Sequence, residues 1–292
     1  MKLIVSSPAG SAPDIVARIV AEKLTAMWGQ SVVVDNRGGP SGVVGAIAVA
    51  RADADGHTFG VMQTAPITLG PLFYKDPQFN AYTDFKPVAM IGIAPLVIAA
   101  HPSLPANNMA EFIALAKAQP SKINNGLSLP NSVPHLVGEM ISDAAGIKLY
   151  NVPYNGAAQA TTATIAGDTQ VTINALGPIM PHVKAGKLKA LAISSPKRLP
   201  GYENVPTVGE TIPGFSAYGW FAVFAPAKVS DAIADRVNAD INNVLARPEV
   251  IAQLALGGVY PNGASRKEFA VFVKAEQDRW AAVVKKMGIK PE

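Results

Sequence analysis

The sequence contains no cysteine in its 292 residues. Disulfide bonds, thiolate metal sites and cysteine nucleophiles are therefore all excluded. Charge is also scarce, because Asp, Glu, Lys and Arg together make up 16% of the chain and the net charge is only +4. The basic residues are scattered and form none of the runs that bind nucleic acid, so we expect no nucleic-acid partner.

Long apolar segments and targeting signals are missing as well. No apolar run is long enough to cross a membrane. Met1 leads directly into residues with a strand pattern, without the charged and apolar regions of a secretory leader. Two interpretations stay open on these grounds: a cytoplasmic protein, or the mature form of an exported protein with an added start methionine.

Most sequence motifs of enzymes and cofactor sites are absent too. There is no phosphate-binding P-loop and no Gly-x-Gly-x-x-Gly after a strand, and no histidine stands at metal-ligand spacing from another. We therefore predict no cofactor and no metal site. Residues 126–130 approach the Gly-x-Ser-x-Gly nucleophile elbow but end in Pro130. A serine hydrolase that uses Ser128 with His135 is kept as an alternative.

What the chain does contain is a regular alternation of short apolar runs with amphipathic segments of helical length. This alternation is typical of a parallel-rich α/β fold, and the length suffices for two domains. A turn-rich stretch at residues 101–105 and an apolar strand at residues 220–225 indicate boundaries. We predict lobe 1 over residues 1–100 and 221–292, lobe 2 over residues 101–220, and hinge strands near residues 98–101 and 219–224.

The first strand–loop–helix junction offers a candidate anion site. Residues 3–5 form an apolar strand, and Ser11 and Asp14 fit a helix start with Pro13 inside the first turn. The backbone N–H groups of residues 9–12 would then lie at the positive end of the helix dipole. The sequence predicts that these groups are free to bind an anion.

Polar residues follow other predicted strands in the same way. Residues 63–65 follow the third strand, and residues 128–132 form a long polar loop in which Ser132 can cap the next helix. Residues 154–156 begin another strand–helix junction. Such junctions in both lobes suggest a small carboxylate or polar ligand clamped between them.

Several stretches, in this order and spacing, carry a family resemblance. They include Val34-Asp35-Asn36-Arg37, Asp55-Gly56-His57-Thr58, Val152-Pro153-Tyr154-Asn155-Gly156 and Ala185-Gly186-Lys187-Leu188. Over nearly its whole length the chain resembles the substrate-binding proteins of tripartite tricarboxylate transporters, known as the TctC or Bug type.

The resemblance implies a two-lobed type II periplasmic binding protein fold, the Venus flytrap, in which each lobe is a mixed, mostly parallel sheet flanked by helices. It implies a monomeric, non-enzymatic receptor in the periplasm that takes a small carboxylate and passes it to membrane permease subunits. It also implies a signal peptide, which this sequence does not show. The ligand contacts that it implies are Pro8, Ala9, Gly10, Ser11, Asp14, Gln63, Thr64 and Ala65 in the first lobe, and Ser128, Leu129, Asn131, Ser132, Tyr154, Asn155, Gly156, Ala157, Asn174 and Ala175 in the second.

The chain departs from the family pattern at these positions. Asn155 stands where the family usually has Lys, Asn174 where it often has Asp, and Ser11 where it often has Gly. We therefore expect backbone N–H groups and the Thr64 and serine hydroxyls to bind the ligand, and we expect neither a tricarboxylate nor an amino acid. An aliphatic dicarboxylate, an aromatic carboxylate and a neutral amide stay open, as does a role as a sensor that reports its ligand to a signalling partner.

Overall fold

The computed structural model of the protein describes residues 1–39, 42–74 and 78–289. The chain divides into two units, one formed by Met1–Ile93 with Trp220–Glu292 and the other by Ala94–Gly219. Residues 290–292, at the end of the predicted first lobe, lie outside the described residues. Each unit is built around its own sheet.

The strands and helices alternate along most of the chain. The strands are β1 (Lys2–Val5), β2 (Val33–Asn36), β3 (Thr58–Gln63), β4 (Phe85–Ala94), β5 (Leu96–Ala100), β6 (Asn124–Leu127), β7 (Tyr150–Pro153), β8 (Val171–Ala175), β9 (Lys189–Ile193), β10 (Gly219–Pro226) and β11 (Tyr260–Pro261). The helices are α1 (Ala12–Trp28), α2 (Val43–Ala50), α3 (Gly70–Phe73), α4 (Met109–Ala118), α5 (Val133–Ala145), α6 (Ala157–Ala166), α7 (Leu176–Lys184), α8 (Asp231–Leu245), α9 (Pro248–Leu256) and α10 (Arg266–Lys286). In the described part of the chain, no helix combines the length and the apolar character needed to cross a bilayer.

The sheet of the first unit has the strand order β11-β4-β10-β3-β1-β2. Strand β1 lies at its parallel end, paired in parallel with both β2 and β3. Leu3, Ile4 and Val5 are buried there, because a strand covered on both faces needs apolar side chains on both. Strand β10 returns from the second unit and pairs antiparallel with β3.

The sheet of the second unit has the order β7-β6-β8-β5-β9. Strand β6 is parallel to β7 and β8, whereas β5 is antiparallel to β8 and β9. The boundary therefore differs from the predicted one. Residues 94–100 were predicted in the first lobe, but β5 forms its ladders with second-unit strands, so the predicted hinge near residues 98–101 lies inside this sheet.

Two helix starts of the first unit are capped by residues close in sequence. The Ser230 hydroxyl accepts the N–H of Ile233 at the start of α8. Ser265 and Glu268 form a reciprocal capping box at the start of α10. Both contacts join residues three apart, so the sequence alone is enough to indicate them.

A buried carboxylate ties α10 to the sheet of the first unit. Oε2 of Glu276 accepts the indole N–H groups of Trp220 on β10 and Trp280 on α10, both at 3.1 Å. Arg279 forms an ion pair with the same carboxylate at 2.7 Å. Burial raises the pKa of Glu276, and Arg279 and the two indoles partly oppose this change. These contacts hold the C-terminal helix against the strand that returns from the second unit.

Replacing Glu276 by alanine should lower the free energy of unfolding by about 2–4 kcal/mol, because two buried indole N–H groups lose their acceptor. Urea denaturation of the purified protein measures this change. Asp278→Ala on the same helix is the matched control, since Asp278 is exposed and pairs with Lys274 at the surface, where ion pairs contribute little. Equal effects of the two substitutions would contradict the assignment.

Candidate functional site

The loop after β1 is closed by the side chain of Asp14. Gly10, at φ +79°, donates its N–H to Asp14 Oδ2 at 2.8 Å. Arg18 Nε and Asn36 Nδ2 donate to the same carboxylate, each at 3.0 Å. Asp14 is only 2% exposed. Burial alone would raise its pKa, but the hydrogen bonds from Arg18, Gly10 and Asn36 outweigh burial and lower it.

The predicted anion site at this loop is therefore only partly available. Besides the N–H of Gly10, that of Ser11 is used, since it donates to the Pro8 carbonyl at 3.3 Å. The Ser11 hydroxyl also donates to Pro8, at 2.6 Å, and does not cap α1. Of the N–H groups predicted to be free, those of Ala9 and Ala12 have no acceptor within the described chain. Pro8, Ala9 and Gly10 are exposed.

The segment after β3 is helical. Residues Ala65–Leu69 form a π-helix that continues into α3. Thr64 is buried, and its hydroxyl oxygen accepts the backbone N–H of Trp220 at 2.8 Å. This internal bond gives Thr64 a structural partner that the sequence did not indicate. Gln63 and Ala65 are partly exposed beside it.

In the second unit the predicted residues lie at one edge of the sheet. Strands β6, β7 and β8 are parallel, so their carboxyl ends meet there, where open α/β sheets bind ligands. Two backbone hydrogen bonds of 2.9 Å join the loops that follow β6 and β7, from Tyr154 to Leu127 and from Gly156 to Ser128. Asn174 and Ala175 end β8 at the same edge.

The loop over residues 128–132 is held by His135 of α5. Asn131, at φ +58°, donates its N–H to Nδ1 of His135 at 3.0 Å. A backbone amide can only donate, so Nδ1 must be unprotonated. Burial lowers the pKa of His135, while Glu139, 3.8 Å from its Nε2, opposes this change. The N–H of Asn131 is thus already used.

Ser132 does not cap α5 as predicted, and in the described chain Ser128 has no contact with His135 that would support the hydrolase alternative. Ser132 occupies the N-cap position of α5, but its hydroxyl donates to the Leu129 carbonyl at 2.7 Å and accepts no helix N–H. Within the described residues, no hydrogen bond joins the Ser128 hydroxyl to His135. The nucleophile–base contact that a serine hydrolase needs is not formed here.

At this edge, the first turn of α6 has backbone N–H groups without a hydrogen-bond acceptor among the described residues. Gly156, at φ +115°, precedes the helix. The N–H groups of Ala157, Ala158 and Gln159 have no acceptor in the part of the chain that the structure describes, as expected for the first turn of a helix. The helix dipole adds a partial positive charge at this point. Ala157 and Ala158 are exposed, so the groups can bind a carboxylate.

A groove runs from this helix start between α6 and α7. Its volume is about 410 Å³. It begins at Ala157 and Ala175, and Asn174 lies in its lining with 2% exposure. The other lining residues, which the sequence analysis missed, are Ala158, Thr161, Thr162, Pro178, Ile179 and His182. Helical spacing could have indicated two of them, because Thr161 and Ile179 lie four residues after Ala157 and Ala175.

Comparisons with known proteins agree with this architecture. A family described as the tripartite tricarboxylate transporter family receptor, TctC, matches residues 16–289. Protein BugT of Bordetella pertussis is 33% identical over 292 residues, which are 99% of this chain and 90% of BugT. The structure of R. palustris Rpa4515 with adipate has a TM-score of 0.83 and 32% identity, and the match covers 100% of this chain and 98% of that one. The periplasmic binding protein BugD has a TM-score of 0.78 and 29% identity, and the match covers 100% of this chain and 98% of that one. The predicted fold class is thereby confirmed.

Substituting Asp14 by asparagine should destabilise the protein by about 1–3 kcal/mol at neutral pH, because an amide cannot accept all the hydrogen bonds that the carboxylate accepts. The pKa of Asp14 is lower in the folded state than the ordinary 3.8. Its stabilising effect is therefore complete above pH 3.8 and is lost as the pH falls through the lower folded-state pKa. Urea denaturation from pH 7 downwards should show the two proteins converging in acid. Asp35→Asn, at a carboxylate that is 30% exposed, should change stability little.

Replacing His135 by asparagine should remove a pH dependence. The pKa of His135 is below the ordinary 6.5 in the folded state, so wild-type stability falls as the pH drops from 6.5 through the lower pKa, where the unfolded chain binds the proton first. An asparagine side chain cannot titrate, but its oxygen can still accept the N–H of Asn131. Urea denaturation at pH 7.5 and 5.0 should show a larger loss of unfolding free energy for the wild type than for His135→Asn. His57→Asn should behave like the wild type. An identical loss in all three proteins would refute the role of His135.

Proposed function

Because the chain belongs to the tripartite tricarboxylate transporter receptor family, we propose that it is a periplasmic receptor that captures a small carboxylate and delivers it to the membrane permease of such a transporter. Proteins of this family are solute receptors and not enzymes, so the serine hydrolase considered for Ser128 is set aside. The related Rpa4515 was solved with adipate, which supports a carboxylate as the class of ligand.

The proposal depends on one observation: the backbone N–H groups in the first turn of α6 have no acceptor among the described residues. A carboxylate oxygen at Ala157 and Ala158 would receive backbone N–H groups and the favourable end of the helix dipole. Charge-assisted hydrogen bonds of this kind contribute roughly 1.5–3 kcal/mol each. We assign the side chains of Asn155 and Tyr154, just before the helix, to the same group, because their backbone N–H groups are already paired with Gln159 and Leu127. Neutral donors suit a transport receptor, because the ligand has to be released again.

The first unit has proposed contacts of its own. The N–H groups of Ala9 and Ala12 are uncommitted within the described chain, and Gln63 and Ala65 are partly exposed at the end of β3. We assign contacts with the ligand to these groups. Asp14 is assigned the role of shaping the loop that carries Ala9, since its carboxylate is enclosed by Gly10, Arg18 and Asn36.

Isothermal titration calorimetry with succinate, glutarate and adipate tests the proposal. Asn155→Asp should weaken carboxylate binding about tenfold, because a second negative charge near the bound carboxylate costs about 1.4 kcal/mol at a partly exposed site.

The matched control is Gln119→Glu, which introduces the same charge change at the exposed end of α4. That helix leads into the amino end of β6, away from the strand ends that carry the site, so affinity should stay unchanged. Absence of binding by every carboxylate, or equal weakening by both substitutions, would contradict the proposal.

A further inference from the structure

The groove between α6 and α7 has a distinctive hydrogen-bonding character. Three of its lining residues, Thr161, Asn174 and Ile179, are buried. Ile179 is apolar, so among the buried lining residues only the other two contribute polar atoms. Which of their atoms remain able to donate or to accept a hydrogen bond determines which ligand group can enter.

The orientation of the Asn174 amide follows from its neighbours. The Thr172 hydroxyl donates its only hydrogen to the Gly126 carbonyl at 2.9 Å. Its oxygen can then only accept from Asn174, which presents Nδ2 at 2.8 Å. The reversed amide would place two acceptors against each other. Oδ1 of Asn174 is left buried and without a partner within the described chain.

The hydroxyl hydrogen of Thr161 is also already used in a hydrogen bond. Its hydroxyl donates to the Ala157 carbonyl, one turn back on α6, at 2.7 Å. The lone pairs of Oγ1 remain, but its hydrogen is used. Both buried polar side chains of the groove therefore offer an oxygen that can accept a hydrogen bond. Nδ2 of Asn174 keeps a second hydrogen, but Oδ1 is the buried atom without a partner among the described residues. A buried acceptor without a donor is unfavourable, and a carboxylate oxygen beside it would make the site worse.

We propose that this groove takes a hydrogen-bond donor of the ligand, and that the receptor therefore prefers carboxylates whose far end carries a neutral amide or hydroxyl over dicarboxylates of the same length. The inference rests on the proposed function, because it assigns the carboxylate to the start of α6 and the donor to the groove. A volume of about 410 Å³ is in the range of small-molecule pockets.

The test compares adipate with its monoamide, adipamate, by calorimetry at pH 7.5, where both carboxylates of adipate are ionised. The wild type should bind adipamate about tenfold more tightly, a difference expected when one ligand satisfies a buried acceptor and the other opposes it. Asn174→Leu keeps a similar shape, removes Oδ1, and should reduce the preference to less than about threefold.

Two further variants complete the test. Thr161→Val removes the second acceptor at nearly constant shape and should also reduce the preference, so it decides the question alone if Asn174→Leu does not fold. Thr83→Val makes the same change at an exposed threonine of the first unit, outside the groove, and should leave the preference unchanged.

The binding results separate a failure of the proposed function from a failure of this inference. If the wild type binds neither ligand, the proposed function fails and the inference with it. If it binds adipate as tightly as adipamate, the inference is overturned while a carboxylate receptor stands. If adipamate is preferred and the preference survives both Asn174→Leu and Thr161→Val, the donor site does not lie in this groove.

Discussion

A backbone N–H group that finds no acceptor inside the chain has to be paired by water or by a ligand, and the proposed site follows from this requirement. Helix starts and strand ends leave such groups over unless a side chain reaches them. In the first unit Asp14 reaches back and pairs Gly10. In the second unit Gln159 pairs Asn155 in the same way, at 3.1 Å, while the N–H groups of Ala157, Ala158 and Gln159 keep no acceptor among the described residues. The two junctions differ in charge, because a buried carboxylate closes the first and a neutral amide closes the second, so the second is the better anion site.

The second unit also separates donors from acceptors along one groove. Backbone N–H groups of Ala157 and Ala158 lie at its start, and the acceptor oxygens of Asn174 and Thr161 lie inside. A ligand with a carboxylate at one end and a donor at the other would be oriented by this polarity. The neutral Asn174, where the family often has Asp, would then fit a neutral donor at the far end of the ligand.

The sequence was informative where structure is set by nearby residues. The alternation of apolar runs with amphipathic segments predicted the α/β fold. The capping box of Ser265 and Glu268 follows a known sequence motif, because its members are three residues apart. Contacts between residues far apart in the sequence could not be predicted. Asn36 reaches Asp14 across 22 positions, and Trp220 reaches Thr64 across 156. No local pattern indicates that a helix-start aspartate takes a loop amide, or that the Ser132 hydroxyl donates instead of capping.

The start of α6, and not the loop after β1, is expected to supply the main donors to a ligand carboxylate. Amide chemical shifts followed by NMR during titration with adipamate measure this directly. We expect the largest shifts at Ala157 and Ala158, with little change at Gly10 and Asn131, whose N–H groups are already paired. Largest shifts at Gly10 and Asn131, with Ala157 and Ala158 unmoved, would contradict this assignment.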